Sequence, residues 1–221
     1  MKLLTYLIAI FLWLGTYIAH ANELTLNQRI TFESSMLDEQ RTLNVVLPES
    51  YYSNPNATYP VIYLLDGDYN TFAVSGMLDM LANKGQLIPD VILVGIADLG
   101  TAKYRSYMTP SFGKDTPDLA TNFAKYLIEE VKPYIKKHFR TADNSALVGQ
   151  SIGGLFVVNT LLEQPSGFEH FVAISPSVWV GDNAIVKKQK LKYRMRLTNL
   201  WHYIYRLVMK HEWDNMTSLM S

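Results

Sequence analysis

Apolar positions along the chain follow three spacings, and each predicts a different kind of element. Leu43, Val45 and Leu47 alternate before Pro48 stops the run, which is the period of a strand, and residues 24–32 read as its antiparallel partner. Residues 61–65 and 91–97 are instead short and almost continuously apolar, with β-branched side chains, as a strand covered on both faces requires. Between them Phe72, Met77, Leu78 and Leu81 fall at near-helical spacing over residues 70–84, with Gly85 placed to stop the helix. Leu119, Phe123, Leu127, Val131 and Ile135 share one face of a second helix, opened by Thr116, Pro117 and Asp118 and expected to kink or shorten at Pro133. A strand at 146–148, a helix at 152–162 and a buried strand at 171–174 complete the pattern.

This alternation predicts an α/β fold with a mostly parallel central sheet, helices on both faces and an antiparallel N-terminal strand pair. Lys2, the apolar residues 3–18 and the small residues Ala19 and Ala21 form an export-signal pattern, and ~16 apolar residues fall short of the ~20 that span a bilayer. The expected organisation is a signal at 1–21, one domain at 22–186 and an atypical basic tail at 187–221. The expected location is outside the cytoplasm, periplasmic or secreted, with membrane attachment only through an uncleaved signal.

Composition narrows the chemistry. Among 221 residues, 48% are apolar, enough for one core and too many for a disordered chain. Twenty basic residues balance twenty acidic ones, so the footprint of a nucleic-acid binder is missing, although the basic residues concentrate after position 186. With no cysteine, thiol nucleophiles, disulfides and thiolate metal sites are excluded. No cofactor and no metal is expected.

Gly149, Gln150, Ser151, Ile152, Gly153 and Gly154 lie between a predicted strand and a predicted helix, the setting of a nucleophile elbow. The tight turn leaves no room for side chains at 149 and 153, exposes the Ser151 hydroxyl, and aims the Ile152 amide at any oxyanion formed beside it. Gly154 lets the helix lie close to the sheet. A second oxyanion donor comes in such sites from the loop after an earlier strand, here the backbone at Gly67, Asp68 and Tyr69.

Five separated blocks now carry a resemblance: residues 59–67, 94–96, 104–110, 147–156 and 174–179. Together they resemble the esterase D and enterochelin-esterase-like branch of the α/β-hydrolases, over about residues 23–182. The resemblance implies the α/β-hydrolase fold and ester hydrolysis through an acyl-enzyme on Ser151, with a small-molecule ester as partner. It implies an oxyanion hole lined by the loop after Asp66 and a substrate-facing role for Arg105. Its relatives act on siderophore lactones, acyl and feruloyl esters and S-formylglutathione, and the export pattern favours siderophore-type or other acyl esters.

A serine needs a histidine base and a carboxylate to orient it, and in this fold both come after the serine in the chain. Of the later histidines, His170 starts a strand and reads as structural, leaving His202 and His211. Asp182, Glu212 and Asp214 are the acid candidates. The resemblance fades after Asp182, so the C-terminal part reads as incomplete, a truncated or altered ending. A catalytically incomplete pseudo-esterase or ligand-binding remnant is therefore the alternative to an active enzyme. If the tail folds, Leu197, Leu200, Trp201, Ile204, Leu207 and Val208 share one helical face. Oligomeric state is left open, with association expected if a sheet edge lies bare.

Overall fold

The computed structural model of the protein describes residues 27–112 and 118–192. The residues of the export pattern, together with Thr116, Pro117 and the tail beyond 192, lie outside the described residues. Six strands form one sheet: β1 (Asn27–Ser34), β2 (Glu39–Val46), β3 (Tyr59–Leu64), β4 (Ile92–Ile96), β5 (Thr141–Gln150) and β6 (His170–Ile174). Their order in space is β1-β2-β4-β3-β5-β6. The first two strands pair antiparallel, β2 joins β4 antiparallel, and β4, β3, β5 and β6 run parallel. This is the mostly parallel sheet with an antiparallel N-terminal pair that the sequence pattern predicts, and it agrees with the α/β-hydrolase fold that the resemblance implies. After β3 the chain steps to one side to form β4 and then to the other to form β5, so a crevice opens at the carboxyl ends of the two strands.

The strands that read as continuously apolar are the central ones, and Ile92, Val94 and Ile96 are fully buried. Pro60 lies inside β3 because the ladder to β5 shifts register between Tyr59 and Val61, where a missing N–H costs no bond. Strand β5 is much longer than its apolar core suggests. It begins at Thr141 and passes through the exposed Asp143 and Asn144, residue types that strands disfavour. Strand β6 departs from expectation in the other direction. Instead of being buried it is outermost among the described strands, with Val172 and Ile174 about half exposed.

The helices are α1 (Ser50–Ser53), α2 (Gly67–Asp79), α3 (Ala102–Met108), α4 (Leu119–Lys125), α5 (Lys132–His138), α6 (Ile152–Glu163) and α7 (Val180–Lys192). Helix α2 ends in a π-helical stretch at Met80–Lys84, and the left-handed residue that stops it is Gln86, not Gly85. The Leu87 N–H reaches back six residues to the Leu81 carbonyl at 2.9 Å and closes the widened last turn. Helix α4 is capped by Asp118, whose side chain accepts from the Thr121 N–H at 3.2 Å. Pro133 does not break the helical run. The backbone widens into a π-helix at Tyr126–Val131, and Pro133 then falls in the first turn of α5, where no i−4 bond is needed. Ring packing joins these layers, with Phe123 stacked on Tyr107 at 5.2 Å and edge-on to Phe156 at 5.5 Å.

Helix α2 lies on the sheet at a point where neither backbone carries a side chain. A Cβ on Gly67 would sit 2.5 Å from the Gly95 carbonyl carbon, and a Cβ on Gly95 would overlap the Thr71 hydroxyl. Replacing Gly95 by Ala therefore forces α2 off β4 and is expected to cost about 2–3 kcal/mol in urea unfolding. Gly76→Ala is the control. No heavy atom lies within 4 Å of its added methyl, so it should stabilise by roughly 0.8 kcal/mol. Equal effects of the two substitutions would contradict this packing.

Candidate active site

Strand β5 ends at Gln150 and the next residue reverses the chain into α6. Ser151 adopts φ 54° and ψ −115°, a conformation that costs a non-glycine residue about 1–3 kcal/mol. Its backbone is held from three sides. The Ser151 N–H donates to the Ile174 carbonyl at 3.0 Å, and the Ser151 carbonyl accepts from the N–H groups of Ser177 at 2.9 Å and Leu155 at 3.0 Å. The end of β6 and the loop after it thus support the bend.

The glycines around this bend divide the work unequally. A Cβ on Gly149 would lie 2.6 Å from the Gly153 carbonyl oxygen, so backbone meets backbone and only glycine fits. A Cβ on Gly153 would meet only the Asp66 carboxylate, at 3.2 Å, which is tight but not barred as the sequence pattern suggests. At Gly154 the nearest atoms are Pro176 Cα at 3.0 Å and the Ile174 carbonyl oxygen at 3.1 Å, and that close approach of helix to sheet is the expected one.

Ser151 opens into a cleft of about 610 Å³ at the carboxyl ends of β3, β4 and β5. Its walls include Asp66 and Tyr69 from the loop after β3, Asp98 and Arg105 from the segment after β4, and Ile152. The Ser151 side chain is exposed, and its Oγ lies 3.1 Å from Oγ of the buried Ser177. Ser177 belongs to a block that resembles the family, but nothing in residue type or spacing marks it as a partner of Ser151.

The loop after β3 turns left-handed at Asp66, with φ 54° and ψ 47°, and α2 starts at Gly67. The Tyr69 and Asn70 N–H groups return to the Asp66 carbonyl at 3.1 and 3.0 Å. Gly67 and Asp68 occupy the first two positions of the helix, whose amides have no acceptor within it. Their side-chain positions do not line the cleft; those of Asp66 and Tyr69 do. The Asp68 carboxylate points to other partners, accepting from Arg29 at 2.8 Å, Asn44 at 3.2 Å and the Leu99 N–H at 3.0 Å. Burial opposes its ionisation, but these donors outweigh burial and hold Asp68 below the usual carboxylate range.

Asp66 is the reverse case. Burial pushes its carboxyl above the ordinary range, Asp98 adds to the effect, and Arg105 acts against both. Asp66 and the exposed Arg105 both line the cleft.

Among the described residues no histidine reaches this cleft. The His138 ring lies on Tyr134 and its Nδ1 is 2.8 Å from the Tyr134 carbonyl oxygen. His170 pairs with Ala146, which puts it ~13 Å down the sheet from the level of Gln150, the residue before the serine. Asp182 is exposed in a left-handed stretch near the start of α7, and its carboxylate binds Lys187 at 2.6 Å. His202, His211, Glu212 and Asp214 lie outside the described residues.

Comparison with known proteins gives this arrangement its context. The family model described as "Putative esterase" matches residues 34–215, a span that continues past Asp182 and takes in His202, His211, Glu212 and Asp214. The chain is 30% identical over 174 residues to the ferri-bacillibactin esterase BesA of Bacillus subtilis, covering 70% of this chain and 60% of that protein. It is similar in structure to an IroE-like serine hydrolase from Shewanella oneidensis, with a TM-score of 0.66 and 28% identity over 75% of this chain and 55% of that one. The BES protein of Bacillus cereus superposes with a TM-score of 0.65 at 25% identity, covering 77% of this chain and 70% of that one. The chain thus spans about three-fifths of the length of that Bacillus subtilis relative.

The raised Asp66 carboxyl gives a pH test with a definite sign. A group whose folded-state pKa exceeds its unfolded value adds stability below the unfolded value, near 3.8, and loses it as pH rises through the folded value. Asp66→Asn keeps a residue tolerant of the left-handed turn and removes the buried charge. Its melting temperature should exceed wild type at pH 7 and match it near pH 3. A shift of equal size at both pH values would contradict the electrostatic account.

Proposed function

Since this chain belongs to the Putative esterase family, we propose that it is a serine ester hydrolase working through an acyl-enzyme at Ser151. The observation that carries this reading is the backbone of Ser151 itself. A serine held at φ 54° between a parallel strand and a helix N-terminus, with its hydroxyl open to a cleft, is built for nucleophilic attack.

In the proposed reaction Ser151 Oγ attacks the ester carbonyl carbon while a histidine removes its proton. The Ile152 N–H, first in α6, donates to the oxyanion of the tetrahedral intermediate. The free amides at the start of α2, those of Gly67 and Asp68, supply the second donor. The intermediate collapses, the C–O bond to the alcohol breaks, and the alcohol leaves with the proton from the histidine. Water then repeats the sequence on the acyl-enzyme and releases the acid. His202 or His211 is the base in this reading, with Glu212, Asp214 or Asp182 as its carboxylate partner.

The substrate is a siderophore-type or other acyl ester. The relative named as a ferri-bacillibactin esterase supports that class. Arg105 at the cleft wall is its substrate-facing cation. The apolar pattern before Ala21 supports a reaction outside the cytoplasm, periplasmic or secreted.

Short-chain p-nitrophenyl esters and a purified catecholate trilactone provide the assay. Ser151→Ala should lower kcat/KM by about 10⁴-fold or more. Undiminished hydrolysis by that variant would overturn the proposal.

A further inference from the structure

The left-handed turn at Asp66 is as unusual for its residue type as the bend at Ser151, and it needs a support of its own. Helix α2 bonds its carbonyl, and one phenol holds its amide. The Asp66 N–H donates to Tyr104 Oη at 2.9 Å, and the same oxygen lies 3.5 Å from the Ile96 carbonyl oxygen, to which it donates. Tyr104 is 1% exposed, so water does not replace it as the acceptor. Burial, with the nearby Asp66 carboxylate, keeps the phenol neutral by pushing its pKa well above the ordinary value.

The ring is fixed as firmly as the hydroxyl. It stands edge-on to Phe123 at 5.7 Å, and the guanidinium of Arg41 lies 5.5 Å from its centre. Arg41 is itself buried and anchored, donating to the Ala97 carbonyl at 2.8 Å. Helix α3 begins with Thr101 accepting from the Tyr104 N–H at 3.3 Å, and the residue after Tyr104 is Arg105 at the cleft wall. One short helix thus carries both the clamp on the turn and a cation of the cleft.

We propose that Tyr104 is the positioning residue for the loop after β3: its buried hydroxyl holds the Asp66 amide and so fixes where the free amides at the start of α2 point. This inference rests on the reading of Ser151 as an esterase nucleophile and gives Tyr104, which also borders the cleft, a role in holding the loop through its bond to the Asp66 amide. Tyr104 sets the donor geometry, so its loss weakens stabilisation of the transition state more than binding of the ester.

The test is Tyr104→Phe, which keeps the ring and removes only the hydroxyl, with its bonds to the Asp66 N–H and the Ile96 carbonyl. With the p-nitrophenyl ester, kcat should fall by about 10- to 100-fold while KM stays within about twofold. Amide hydrogen exchange, read by NMR on the same protein, should quicken at least about tenfold at Asp66 and stay unchanged at Val94 in β4, which reports that the fold is intact. Unchanged kcat in the variant, a change confined to KM, or unchanged exchange at Asp66 would each overturn the proposal. If wild-type protein turns over no ester, the esterase reading fails separately, and exchange at Asp66 alone decides the clamp: faster exchange supports it and unchanged exchange overturns it.

Discussion

The strained backbone at Ser151 is the constraint on which the site depends, and hydrogen bonds from the end of β6 hold it in place. A residue at φ 54° persists only where its surroundings over-determine it. Here the Ile174 carbonyl accepts from the serine N–H and the Ser177 N–H donates to the serine carbonyl, so the bend is closed from the neighbouring strand and not from its own. This explains why β6 matters to the site despite its exposed face. It also explains why Gly149 and Gly154 lack side chains, since the closed bend leaves their Cβ positions against other backbone atoms.

The same device recurs across the sheet. Asp66 after β3, Ser151 after β5 and Ser175 after β6 all adopt positive φ, at the ends of three adjacent parallel strands. Two of these turns launch helices directly, α2 and α6, which begin beside one cleft. Helix N-termini present unsatisfied N–H groups and partial positive charge, so the cleft favours an anion where the two helices begin. Asp66 and Asp98 act against this field, and Arg105 partly offsets them. In the proposed reaction that balance suits a neutral ester that becomes negatively charged only in the intermediate.

Much of this was legible in the sequence because it rests on local rules. Continuous apolar runs marked β3 and β4 as central strands, and a glycine-flanked serine between strand and helix marked the elbow. What escaped was set by tertiary contact. The first half of β5 carries Asp143 and Asn144 and is tied to the sheet by β3 alone, through Thr141 and Ser145. Pro133 promised a kink, but a π-helical turn absorbed it. Helix α3 is short, and Tyr104 in it looks like any core aromatic until the left-handed Asp66 amide is seen against its hydroxyl. Ser177 was equally silent, since a contact 26 residues away in sequence leaves no periodic trace.

Whether Ser151 carries the acyl group decides the mechanism. Rapid quenching of the protein during turnover of a p-nitrophenyl ester, with peptide mass spectrometry of the quenched samples, reads this directly. The expected result is the mass of one acyl group on the Ser151 hydroxyl, appearing with a burst of p-nitrophenol. Steady ester hydrolysis with Ser151 unmodified at every time point, or with the acyl group on another residue, would contradict it.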